Sequence, residues 1–129
     1  MFGNLFIRVK EVRDFETCSK SIFSLLNLEI KETRYSENEA GGRYVYGEVL
    51  GLRVIFAEAD DVDFVDYDFI LSFRPSPQIN WTSPDRHCLD GLADIVAKHL
   101  ARYDTRIARP LEFGKAGTAR VEYDGDNDS

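Results

Sequence analysis

The stretch Glu58 to Asp68, EADDVDFVDYD, places six carboxylates in eleven residues without one base: Glu58, Asp60, Asp61, Asp63, Asp66 and Asp68. That density has three chemical uses. It can hold a divalent cation, supply a catalytic acid and base, or present a negative field to a positively charged partner. A calcium loop of the helix–loop–helix kind needs alternating oxygen ligands, a glycine at its sharp turn and a closing bidentate glutamate. Here there is neither glycine nor closing glutamate. A divalent ion crowded among Asp61, Asp63, Asp66 and Asp68 is the alternative that composition leaves open.

Catalytic carboxylates sit on separate elements around a cleft and are completed by a base, a histidine or an arginine. One run of neighbouring acids does not imply that geometry. The two histidines, His87 and His99, fall twelve residues apart on one expected helix, about 120° round its axis, so they cannot share a metal without distortion. His87 beside Cys88 is a couple in one dimension only, because successive helical residues point in different directions. His87 reads as a surface residue, and Cys18 and Cys88 as small core residues, with a disulfide between them left open. No nucleophile elbow, phosphate-binding glycine loop or zinc-ligand spacing occurs. The chain is therefore expected not to be an enzyme and to use no cofactor.

The third use fits the charge distribution. Sixteen Lys and Arg against twenty-three Asp and Glu give a net charge of −7 over 129 residues. Six of those acids lie in the stretch above and four in the C-terminal EYDGDNDS, which leaves thirteen acids against sixteen bases elsewhere. The acidity belongs to one loop and one tail, not to the scaffold. Six like charges in one loop oppose each other, and a cationic protein would compensate that cost. A nucleic-acid partner is disfavoured there, since phosphates are repelled. Tyr67 inside the acidic run, with Tyr46 and Trp81 in neighbouring segments, are the aromatic anchors expected for such a contact.

The elements that must position this loop follow from periodicity. Leu5, Ile7 and Val9 alternate with Phe6, Arg8 and Lys10, as in a strand with one buried face. Asp14 can cap a helix carrying Phe15, Cys18, Ile22, Leu25 and Leu26 and ending near Asn27. LEIKETRY (28–35), RYVYGEVL (43–50), LRVIFA (52–57) and YDFILSF (67–73) read as strands, with Gly51 reversing a hairpin and Tyr67, Phe69, Leu71 and Phe73 sharing one side. Ser83, Pro84 and Asp85 open a second helix with the stripe Leu89, Leu92, Ala93, Val96, Leu100 and Tyr103, and with Asp94 and Lys98 spaced for an ion pair. TRIARPLEF reads as a last edge strand limited by Pro110. The expectation is one α+β domain over 1–114, a largely antiparallel sheet of five to six strands with two helices on one face, followed by a flexible acidic tail over 115–129. No apolar segment is long enough to span a membrane, and the N-terminal run is too short and too soon charged for a signal peptide, so a cytoplasmic protein is expected.

The segment GGRYVYGEVLGLRVIFAEADDVDFVDYDFILSFRP, residues 41–75 and about a quarter of the chain, resembles the middle of acidic immunity proteins from bacterial polymorphic-toxin and contact-dependent growth inhibition systems. The likeness lies in a glycine-punctuated hairpin, an acidic loop and a following aromatic strand. It implies a cytoplasmic antidote that binds a cognate toxin domain, commonly a basic nuclease, and carries no catalytic residues. The rival expectations are a small ligand- or divalent-metal-binding α+β domain, enzymatic or not, and a structural module that self-associates through its sheet.

Overall fold

The computed structural model of the protein describes residues 3–9, 14–37, 40–76, 86–103, 105–111 and 119–124, with the backbone alone for 40, 86–88 and 90. The described elements run β1 (Gly3–Val9), α1 (Phe15–Leu25), β2 (Glu32–Tyr35), β3 (Ala40–Val49), β4 (Leu52–Glu58), a 3-10 turn (Val62–Phe64), β5 (Phe69–Pro75), α2 (Arg86–Leu100), β6 (Thr105–Pro110) and β7 (Arg120–Asp124). The strands form one antiparallel sheet in the order β2-β3-β4-β5-β1-β6-β7. This is the expected α+β domain, with seven strands described rather than five or six.

Strand alternation sorts the side chains onto two faces. The cross-strand row Phe69, Ile7, Ile107, Tyr123 and the row Val45, Phe56, Leu71, Leu5 look toward the helices. Phe15, Cys18, Ile22 and Phe23 of α1 and Ala93, Ala97 and Leu100 of α2 close over them in one buried cluster. Both helices therefore lie on the same face, α2 across β1 and β6 and α1 across β4. Cys18 is buried in that core, as its apolar position predicts. Among the described residues no helix is long and apolar enough to cross a membrane.

Local chemistry explains the ends. Asp14 accepts the Thr17 amide at 2.7 Å as the N-cap of α1. At the other end Asn27 adopts φ 56°, and the amides of Asn27 and Leu28 close on the carbonyls of Ser24 and Phe23. That closure sends Leu28 and Ile30 against the core instead of into the sheet. β2 accordingly begins at Glu32, four residues later than alternation predicts, and Lys31 bonds the Tyr46 carbonyl just outside it. Leu50 and Gly51 both take positive φ, 50° and 76°, the twist a two-residue hairpin turn requires.

Two expectations about the C-terminal third are corrected. The strand containing Pro110 is not an edge strand, because β6 pairs with β1 on one side and β7 on the other. β7 comes from the stretch read as a flexible tail. Alternation over Arg120–Asp124 is weak in hydrophobicity, and what holds the strand is pairing with β6, the packing of Tyr123 against the main core and polar contacts to the acidic loop. The helix start expected at residues 83–85 and the final residues 125–129 lie outside the described residues.

Candidate functional site: an acidic loop seated on the open sheet face

The site begins with Phe6. Alternation turns it away from Leu5 and Ile7, onto the face without helices, where an uncovered phenyl ring would be costly. Its cross-strand neighbours form the row Ala57, Ile70, Phe6, Ala108, Glu122. The two alanines leave a shallow seat beside the ring. The 3-10 turn fills it: Phe64 stacks on Phe6 with ring centroids 4.2 Å apart and planes 9° apart, and Tyr67 packs against both rings. Phe6, Phe64, Tyr67 and Ala108 make a second buried cluster on this face.

Three residues per turn make positions i and i+3 eclipse. Phe64 and Tyr67 are such a pair, and they point inward. Val62 and Val65 are the other, and they point outward, 83% and 77% exposed. Asp61 holds the turn by accepting the Asp63 amide at 2.8 Å. The backbone closes through Ala59 N–H to the Asp68 carbonyl and Asp68 N–H to the Ile7 carbonyl. From β7, Arg120 lies 4.1 Å above the Phe64 ring and donates to the Asp63 carbonyl at 2.7 Å. The Tyr67 hydroxyl donates to Glu122 at 3.0 Å. Burial, reinforced by that carboxylate, raises the Tyr67 phenol above its ordinary value.

The sequence-derived residues separate accordingly. Asp60, Asp66 and Asp68 are exposed, and Asp61 and Asp63 are half-exposed beside the two valines. Glu58 does not join them. It ends β4 in register with Phe69 on the helix side, with its carboxylate against the Cα of Gly41. Among the described residues Glu58, Asp60, Asp66 and Asp68 form no ion pair.

Tyr67 and Tyr46 are not presented as anchors, which corrects the sequence expectation. Tyr67 leaves the strand before Phe69 and turns to the opposite face, where it is 5% exposed. Tyr46, 3% exposed, lies between the guanidiniums of Arg34 at 4.7 Å and Arg53 at 4.3 Å and bonds Glu32 through its hydroxyl. Trp81 lies outside the described residues.

The outward apolar groups are Val62 and Val65, which sequence reasoning passed over. The signal was present: a phenylalanine on the polar phase of β1 needs a cover, and F64 and Y67 are the aromatics spaced to supply it.

Elsewhere, a depression of about 450 Å³ lies between the end of α2 and strands β6 and β7, lined among others by Lys98, Arg102, Arg106, Glu122 and Asp124. Its mixed charge does not continue the acidic surface. Among the described residues no three His, Cys, Asp or Glu side chains come together so as to hold a metal ion. The chain matches no family model, no curated protein and no solved structure.

Proposed function

We propose that this protein is a binding protein that neutralises a cationic protein domain, in the manner of an immunity protein against a basic nuclease toxin. The observation that carries the reading is the division of labour inside the 3-10 turn. Phe64 and Tyr67 fix the loop to the sheet, while Val62 and Val65 stand outside it among the loop carboxylates, of which Asp60, Asp66 and Asp68 form no ion pair among the described residues. An apolar centre with a charged rim is the anatomy of a protein interface, the centre holding the partner and the rim steering it. A loop fixed in advance also lowers the ordering cost of binding. Asp60, Asp61, Asp63, Asp66 and Asp68 steer, and Val62 and Val65 anchor.

The test pairs this chain with the product of the neighbouring reading frame. Affinity is expected to fall on the order of tenfold or more between 50 and 500 mM salt, and the D60N/D66N/D68N variant is expected to lose most of that dependence. V62S/V65S is expected to weaken binding while leaving the salt dependence unchanged. A complex equally tight at high salt and with the neutralised loop would remove the electrostatic reading.

A further inference from the structure

Among the described residues the sheet ends at β2, with no strand beside its outer side. The Ser36 amide bonds the Gly42 carbonyl, and the register places Ser36–Gly42, Arg34–Tyr44 and Glu32–Tyr46 as successive inward pairs. In an antiparallel ladder such pairs alternate, so the backbone N–H and C=O groups of Thr33 and Tyr35 point outward. Four peptide groups stand in a row on an open edge, the template that another strand recognises.

The side chains specify which strand. Glu32 and Arg34 both lie on the helix-free face. Their mutual contact at 3.2 Å and their shared contact with the Tyr46 hydroxyl hold them in place, yet each keeps about half of its side chain in solvent, 52% and 42%. Two copies of β2 related by a two-fold axis through Thr33 would bond Thr33 to Thr33 and bring each Glu32 directly opposite the other copy's Arg34. The symmetry makes that pair twice. A two-fold at Arg34 would instead set Arg34 against Arg34, and like charges directly opposite are unfavourable. We infer that β2 is a self-complementary edge through which two copies of this chain join their sheets, with Thr33 on the axis and reciprocal Glu32–Arg34 pairs fixing the register.

The pairing leaves the proposed binding loop free. β2 and β1, the strand beneath Phe64, are separated by β3, β4 and β5, about 19 Å across the sheet. A dimer of this kind is closed, since each copy has one such edge, and it would carry two acidic loops.

The experiment is sedimentation velocity over a concentration series of the whole chain, with circular dichroism to confirm folding of each variant. A reversible dimer is expected. E32R and R34E are each expected to weaken it about tenfold or more, because two attractive pairs become two repulsive ones, and the E32R/R34E exchange is expected to restore it to within a few-fold. Independently of those charges, T33C is expected to form a disulfide-linked dimer on mild oxidation, faster than R34C and above the background of the native cysteines. A chain that stays monomeric at about 1 mM, an exchange variant no better than either single variant, or R34C crosslinking faster than T33C would each overturn the inference.

Discussion

Replacing Phe64 with alanine probes whether the acidic loop is built on the sheet or merely lies near it. The ring is 5% exposed and stacked on Phe6, with the Arg120 guanidinium 4.1 Å above it. Burying a phenyl ring is worth about 1.5–3 kcal/mol, the stacked pair adds roughly 0.5–1.5, and the cation over the ring about 0.5–1. Their sum is an upper bound, because a loop can lift off the sheet while the main core stays folded, and the measured loss then stops at the docking free energy of the loop. An overall loss of about 3 kcal/mol is expected, near the lower end for Phe→Ala in a packed site. For a chain of this size that is a fall in Tm of about 10 °C.

Urea denaturation gives the total, and amide exchange gives the location. The amides of Ala59, Tyr67 and Asp68, which bond the carbonyls of Asp68, Phe64 and Ile7, should lose protection while those of β4 and β5 keep theirs. Val65→Ala, at a position 77% exposed, is the control and should change stability by less than about 0.5 kcal/mol. If F64A stayed within that same margin of the parent and left the three amides protected, the loop would not be held by this cluster, and the pre-ordered interface would lose its basis.

Two further predictions concern charges that the fold orders. Asp94 accepts the Tyr123 hydroxyl and pairs with Lys98 at 3.1 Å, and these contacts, the hydroxyl first, hold its carboxyl below the usual range. A depressed carboxylate stabilises the fold above its unfolded value near 3.9 and loses that contribution as pH falls through the lower folded value, so D94N should cost about 1 kcal/mol at pH 7 and progressively less as the pH is lowered below about 4, read from urea midpoints. Arg53 is 6% exposed, bonds Glu48 at 3.0 Å, and has no partner at Nε among the described residues. E48A strands that cation and should lower Tm by roughly 5–10 °C, whereas the E48L/R53M replacement should recover most of the loss; a double variant as unstable as E48A would refute the buried-charge argument.

The helical face was legible because it rests on period alone. Leu5 and Ile7 in β1, and Phe69, Leu71 and Phe73 in β5, alternate cleanly, and Asp14 and Asn27 mark the ends of α1 by cap chemistry. The Asp94–Lys98 pair also lies where i, i+4 spacing puts it. The open face was less legible because contacts far apart in sequence decide it. Tyr67 reads as strand by alternation with Phe69, but the turn before it and the uncovered Phe6 draw it to the other side. β7 reads as solvated tail because Arg120 and Glu122 look like surface charges, and only the folded loop gives them partners. Tyr46 reads as an exposed aromatic because two arginines that cover its ring, Arg34 and Arg53, come from neighbouring strands.

The clasp between β7 and the acidic loop also sets an order of events during synthesis. Glu122 reaches Tyr67 across 55 residues, and Arg120 reaches Asp63 across 57. While the chain is still leaving the ribosome, the segment around Phe64 is already out but its clamp is not, so the nascent protein carries those acids on an unfastened segment. The fastened shape of the loop arrives late, with the closing strand, and a chain truncated before Arg120 would keep the charges and lose the shape that presents them.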